Sequence, residues 1–323
     1  MKARPPRRSR LLWWFIAGPL VALLSTTLWA WPYLAVTGTT GAKVLVVEGW
    51  LDPGAMAEAA QLIGDSSYTQ IYTTGTVRPF AYLLSNGEGI AVDLEGPEEG
   101  KIEVEATGLP GSGFFLISGA DTLLNEPVTA EMYVFPVVAA TNGHLHLQSW
   151  GSPGSGMAQQ IFVRSMTLGG RNIHQLQRRT WFTRPGDVSL PAWPTYAQSA
   201  RSELIGLGVP AAAITAVPAY GSPRSRSWGN AHAFGIQARI DGVEAFDVAS
   251  LGVHARRSHK LFQTAVGKGV QVGVIALTDP YCTRANWWKS FRGWFTVLKE
   301  VMGAPEAEVV ELKRKGWDRQ NGG

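Results

Sequence analysis

The amino-acid sequence predicts an α/β fold: a doubly wound parallel sheet, interrupted by an inserted all-β sandwich and preceded by an N-terminal transmembrane helix. Three observations carry this. Short apolar runs alternate with helix-like segments over 43–76 and again from 195 to 277, the pattern of a parallel sheet with crossover helices. Between them, over 77–187, the alternation gives way to short β-prone pieces separated by Gly, Pro and Asn turns. Ahead of both, 11–36 is apolar apart from Gly18, Pro19 and the Ser25-Thr26-Thr27 patch. That is long enough for a bilayer, which takes roughly 20 residues to cross. The expected division is 1–37 for a basic tail and signal anchor, 38–76 with 188–315 for a discontinuous α/β domain, 77–187 for the inserted domain, and 316–323 for a tail.

Lys2, Arg4, Arg7, Arg8 and Arg10 crowd the start of the chain with no acid among them, although the whole protein carries only +4. Such a cluster fits the cytoplasmic flank of a membrane segment, not a nucleic-acid surface, so a membrane and no nucleic acid is the expected partner. Trp13, Trp14, Trp29, Trp31 and Tyr33 lie at the two ends of the apolar run, where an aromatic belt would put them. Bulky Leu28, just before Ala30, disfavours signal-peptide cleavage there. The expected placement is a single pass through the cell membrane, with the N-terminus cytoplasmic and the bulk of the chain periplasmic or extracellular. Cys282 is the only cysteine, which excludes an intrachain disulfide and a thiolate metal cluster.

Residues 43–49 (KVLVVEG) read as a strand buried on both faces. Pro53 opens a helix to about 63, and 68–74 (YTQIYTT) is the second strand, ended by Gly75. A helix over 195–207, a strand over 213–218, a helix over 228–236, a strand over 245–249, a helix from His254 to about 266 and a strand over 270–277 complete the alternation. The last helix, about 286–302, puts Trp287, Phe291, Trp294 and Leu298 on one stripe, expected to pack on the sheet. A membrane-surface role is the alternative, since Lys289, Arg292 and Lys299 lie off that stripe.

In the middle stretch the β-prone pieces are 101–107, 113–118, 130–137, 144–149 and 161–167, and ten Asp/Glu face one Lys between Glu88 and Glu131. Trp150, Phe114, Phe115 and Tyr133 are the aromatic candidates for sugar contact, with core packing the favoured reading of each. His144 and His146 share one face of a strand, and His174 is the one further histidine nearby in the chain. Nothing in the spacing brings the three together, so no metal is assigned.

The most informative run is 250–258 (SLGVHARRS). A strand ends in a Ser/Gly turn and a helix starts at about His254, so His254 and Arg257 share one face of its first turn. In an open α/β sheet that turn lies at the strand carboxyl ends, where ligands bind. A helix N-terminus flanked by an imidazole and a guanidinium suits an anion. Arg224 and Arg226 with Arg256 and Arg257 would widen this to a patch for a diphosphate or sugar phosphate. Other chemistries lack their signatures. No G-x-G-x-x-G follows a strand, no G-x-S-x-G elbow is present, and 38–43 (GTTGAK) precedes its strand where a phosphate loop would come after one.

Taken in order, VLVVEGW (44–50), YTQIYTTG (68–75), TYAQSARSELIGLGVP (195–210), RSWGNA (226–231), SLGVHARRSHKLF (250–262) and WWKSFRGWFTVLKE (287–300) resemble the SanA/ElyC/YdcF family of envelope-associated proteins. The resemblance covers about 43–76 and 188–315. It implies a Rossmann-like three-layer sandwich with a polar pocket at the strand carboxyl ends. Carried onto this chain, the pocket would comprise Glu48, Gly49, Thr74, Gly75, Arg226, Ser227, Asn230, Ser250, His254 and Arg257. Where many members have a Ser-Glu pair this chain has Thr195-Tyr196, and where some have Thr-x-Glu-Asn it has Ser227-Trp228-Gly229-Asn230. Two family carboxylates are thus missing, which weakens a general acid/base reading. Residues 161–173 (IFVRSMTLGGRNI) resemble the closing strand of a xylan-binding-type carbohydrate-binding module. The calcium run of such modules is replaced here by Met157-Ala158-Gln159-Gln160, with no carboxylate.

Together these features predict a membrane-anchored envelope protein that binds or processes an anionic glycan or cell-wall precursor, with a β domain for polysaccharide. The alternatives are a non-catalytic envelope scaffold or carbohydrate-binding protein, and, by the resemblance alone, a binder of S-adenosylmethionine or a nucleotide-type ligand. No reaction and no cofactor is read from the residues.

Overall fold

In the computed structural model the described residues are 28–152, 159–221 and 225–302, with Gly18, Val21 and Ser25 singly ahead of them. The expected membrane segment lies mostly outside this set, as do the terminal tail, Met157, Ala158 and Arg224. Among the described residues no helix is long and apolar enough to cross a membrane.

In chain order the elements are α1 (28–34), β1 (Val44–Glu48), α2 (Pro53–Asp65), β2 (Gln70–Thr76), β3 (Tyr82–Ser85), β4 (Gly89–Leu94), β5 (Glu99–Gly108), β6 (Ser112–Ser118) and β7 (Asp121–Pro127). Next come β8 (Tyr133–Ala140), β9 (His144–Gly151), β10 (Gln160–Leu168), β11 (Arg171–Asn172), β12 (Gln177–Arg184), β13 (Val188–Pro191), α3 (Tyr196–Gly206) and β14 (Ile214–Ala219). The chain then forms α4 (Arg226–Ile240), β15 (Ala245–Leu251), α5 (Ala255–Val266), β16 (Gln271–Leu277) and α6 (291–302). It divides into two units: the first is Met1–Thr74, Ala200–Val217 and Arg224–Gly323, the second Gly75–Ser199 with Pro218–Pro223.

The first unit holds a five-stranded parallel sheet in the order β14-β2-β1-β15-β16. β1 is central and apolar on both sides, as its continuous run of aliphatic residues requires. Leu45 and Val47 turn to one face and pack with Ala55, Met56 and Ala59 of α2 and Ala200 and Leu204 of α3. Val46 turns to the other and joins Phe234 of α4 and Leu261 and Phe262 of α5. The path therefore runs outward from β1 through β2 to β14 with helices on one face, then returns to β15 and β16 with helices on the other. The strand order reverses between β1 and β15.

Local chemistry accounts for the boundaries. Asp52 caps α2 by accepting from the Gly54 and Ala55 amides at 2.9 and 3.1 Å. Asp247, wholly buried in β15, accepts from Tyr68 Oη at 2.6 Å and from the Thr40 amide and hydroxyl at 2.8 and 3.0 Å. These bonds tie the segment ahead of β1 to the sheet. Gly38 exchanges backbone hydrogen bonds with Val274 of the edge strand β16, at 2.8 and 2.9 Å.

The second unit consists of two antiparallel sheets, one built on β11-β10-β5-β8 with β3 alongside, the other β13-β12-β4-β9-β6-β7. They share one core, to which Ile102, Val104, Ile161 and Val163 come from the first sheet and Ile90, Val92, Leu116 and Leu147 from the second. The α/β part is expected to resume at 188. In the structure β13 pairs with β12 from Trp181↔Pro191 to Arg184↔Val188, which keeps this stretch with the second unit.

The last helix also differs from expectation. A short 3-10 turn over Trp287–Lys289 is followed by a break at Ser290, and only then by α6. The predicted stripe splits accordingly: Trp287 and Val297 are buried with Ala30 and Leu34 of α1, with Trp294 beside them, whereas Phe291 and Leu298 are exposed.

Candidate functional site

Glu48 closes β1 and Ser250 lies near the end of β15, so the two flank the point where the strand order reverses, the ligand crevice of open α/β sheets. Gly49 then turns the chain, its amide donating to the Thr74 carbonyl at the end of β2. After β15 the backbone makes a 3-10 turn, Gly252–His254, and α5 begins at Ala255, so His254 occupies the N-cap position and not the first helical turn. Gly252 has φ +43°, and a Cβ there would sit 3.2 Å from the Asp279 side chain, so the tight turn depends on glycine.

That turn lets Ser258 of α5 reach back to the sheet. Glu48 Oε2 accepts from Ser258 Oγ at 2.8 Å and from Ser250 Oγ, and the two hydroxyls lie 3.0 Å apart. All three side chains are fully buried. The other carboxylate oxygen, Glu48 Oε1, is buried with no hydrogen-bond partner, and so are Thr74 Oγ1, Asn230 Oδ1 and His254 Nε2. Unmatched buried polar atoms are costly, and a group of them at a crevice is the usual sign of a missing ligand or solvent partner.

His254 and Arg257 face a carboxylate that the local sequence pattern does not single out. His254 Nδ1 lies 3.0 Å from Glu300 Oε1 on α6, and Arg257 Nη1 lies 4.0 Å from the same oxygen. Burial pushes the Glu300 carboxyl up, but the His254 hydrogen bond and the charges of His254, Arg257 and Lys299 outweigh it and leave the group below its ordinary 4.5. The bond at Nδ1 fixes the imidazole orientation and leaves Nε2 for another partner. Trp50, just after the first turn, meets the imidazole edge-on with ring centroids 4.9 Å apart.

Of the expected residues, the structure thus joins Glu48 with Ser250, Gly49 with Thr74, and His254 with Arg257. Asn230 is buried in the first turns of α4, Ser227 is half-buried, and Arg226 is exposed at the start of that helix. Gly75 falls at the start of the second unit, where a Cβ would come within 2.3 Å of the Ala197 amide nitrogen. Of the expected basic patch, Arg224 lies outside the described residues, and Arg256 lies over the Tyr33 ring at 3.8 Å and donates to the Tyr33 carbonyl. Sequence reasoning misses Ser258 and Glu300. Ser258 stands one helical turn after His254, a spacing that could have marked it. Glu300 is the one acid in 281–302, within an otherwise basic and apolar run.

In the second unit the three histidines are apart in function. His144 Nδ1 is 2.9 Å from Asp93, His146 Nε2 is 3.0 Å from Thr183, and His174 bonds Tyr82 Oη and the Arg78 carbonyl. Among the described residues no group of His, Cys, Asp and Glu is arranged to hold a metal ion. Phe114 is core, Phe115 and Trp150 pack together, and Tyr133 is exposed. A separate cleft of about 340 Å³ is lined by Trp181, Trp193, Arg179, Gln177 and Gln198 among others, with the Arg179 guanidinium 5.2 Å above the Trp181 ring. No protein-family model matches the chain, and no curated protein matches it.

Proposed function

We propose that the first unit binds the sugar portion of an anionic glycan or cell-wall precursor at the carboxyl edge of its sheet, in a membrane-anchored envelope protein of the SanA/ElyC/YdcF type. One observation carries the reading: four buried polar atoms without partners, Glu48 Oε1, Thr74 Oγ1, Asn230 Oδ1 and His254 Nε2, come from four separate segments around the β1/β15 reversal. Two are acceptors only, one is a hydroxyl and one an imidazole nitrogen, a set suited to ligand hydroxyl and amide donors. A buried carboxylate at this point repels a phosphate, so the charged end of the ligand belongs toward exposed Arg226 at the start of α4. The strand order and the helices on both faces also support the Rossmann-like assignment.

Titration of a sugar diphosphate into the full chain, held in nanodiscs, tests this. Glu48→Gln should weaken binding by about tenfold or more, the usual scale for a hydrogen bond to a charged group, and Arg226→Ala should reduce the salt dependence. Equal affinity in wild type and Glu48→Gln would refute the site.

A second reading, polysaccharide contact by the two-sheet unit, is favoured by the Trp181/Trp193 cleft. Sugar rings stack on exposed aromatic faces while amides and guanidinium groups read their hydroxyls. Loss of glycan retention in Trp193→Ala, with Glu48→Gln unaffected, would separate this site from the first.

A further inference from the structure

α6 has two apolar faces, and only one of them packs against other described residues. Its inner face, with Trp294, Val297 and Val301, packs against Ala30 and Leu34 of α1 and the buried Trp287. Its outer face carries Phe291, Phe295, Leu298 and Met302, spaced as one stripe, and these are 87%, 60%, 44% and 69% exposed. A contiguous outward row of large apolar side chains on a described helix marks an interaction surface.

Within 281–302 the solvent-facing charges are of one sign. Between 281 and 302 the basic residues are Arg284, Lys289, Arg292 and Lys299, all exposed, and the one acid, Glu300, is buried against His254. Two exposed rings sit under these cations: Lys289 Nζ lies 5.3 Å from the Trp288 ring and the Arg292 guanidinium 4.6 Å from the Tyr281 ring. Aromatic and basic side chains of this kind favour the headgroup layer. Continuity points the same way. α1, which packs on α6, is the direct continuation of the apolar run from residue 11, and its Leu28 and Trp29 are exposed.

We propose that α6 is an interfacial helix that docks on an anionic lipid bilayer, with Phe291, Phe295, Leu298 and Met302 at the acyl-chain boundary and Lys289, Arg292 and Lys299 among the headgroups. The inference rests on the membrane-anchored part of the reading above and extends it from a tether to a second, surface contact. The docking also bears on the site, because Glu300 on the inner side of α6 is the group that orients His254.

The test uses the full chain in vesicles of equal phosphatidylglycerol and phosphatidylcholine, with Phe295→Cys carrying an environment-sensitive fluorophore. Cys282 is buried and does not compete for label. Acyl-chain nitroxide should quench the probe at least about threefold more than aqueous iodide does, as for a helix seated at the headgroup boundary. The preference should vanish in the triple reversal Lys289→Glu, Arg292→Glu, Lys299→Glu and in pure phosphatidylcholine. Preferential iodide quenching would place the face in water. Protection from both quenchers would place it against protein, as with a second copy of the chain. Lipid quenching unchanged by the reversal would remove the anionic lipid from the account. Any of these overturns the proposal. Flotation with the vesicles at high salt reports the anchor separately, so a chain that floats while its probe stays in water fails in docking alone.

Discussion

His174 gives the second unit a predictable sensitivity to acid. Its ring is 1% exposed, Nδ1 faces the Arg78 carbonyl at 3.1 Å, and Nε2 faces Tyr82 Oη at 3.0 Å. That pattern fits one neutral tautomer, donating from Nδ1 and accepting at Nε2. Burial lowers the imidazole from 6.5 to about 4, the Arg78 charge adds to this, and the carbonyl bond opposes it. The unfolded chain therefore takes up a proton near pH 6.5 that the fold refuses until about pH 4, and stability contributed by neutral His174 is full above 6.5 and drains away as pH falls toward 4. At 1.36 kcal/mol per pH unit the gap amounts to about 3 kcal/mol. Hydrogen exchange of β5 and β10, which pair in the core of this unit, measures the opening free energy at each pH. His174→Asn should be less stable at pH 7 but nearly level with wild type at pH 4.5, since its slope over that range is shallower; His146, also lowered by burial, remains in both proteins and cancels. A wild-type-minus-variant difference that is constant from pH 7 to 4.5 would refute the reasoning.

Three further outcomes can be checked directly. Glu300→Gln should destabilise the first unit by about 2 kcal/mol, because the His254 ring and the Arg257 guanidinium lose the carboxylate they face; since that carboxyl is held below 4.5, the wild-type advantage should be present above this pH and fade on acidification below it in urea titrations. Gly273→Ala should cost about 3 kcal/mol or more, seen as a lowered Tm, since its Cβ would lie 2.0 Å from Asp247 Oδ1 and 2.7 Å from the Gly38 carbonyl. Asp52→Ala should cost about 1 kcal/mol through the lost cap and raise exchange in the first turn of α2.

The parallel sheet is readable because β1 (VLVVE) and β16 (QVGVIAL) are near-continuous apolar runs of the kind a sheet strand between two helix layers shows, and helix-like segments alternate with the strands. β12 (QRRTWFTR) and β7 (DTLLNEP) are not, because one face of each is solvated and their polar residues dilute the two-residue period. The same limit governs the site. Glu48, Thr74 and Ser250 lie near strand ends within recognisable runs, and their convergence follows from strand order. Glu300 lies in an amphipathic helix and meets His254 only through tertiary packing, so no local spacing announces it. His254 and Arg257 read as open to an anion for this reason: their charge is legible and their partner is not.

The stretch that leads from α1 to β1 lies along one edge of the parallel sheet, that of β16. Gly38 pairs with Val274, and the Ala276 amide donates to Thr37 Oγ1. An uncovered strand edge is a template for other chains, so these few residues act as a guard rail against self-association. A soluble form cut at residue 38 or later would expose β16 and should tend to oligomerise, whereas one that begins upstream of Ala30 keeps both the guard and the α1–α6 packing. The linker into β1 is thus also a cover for that strand edge.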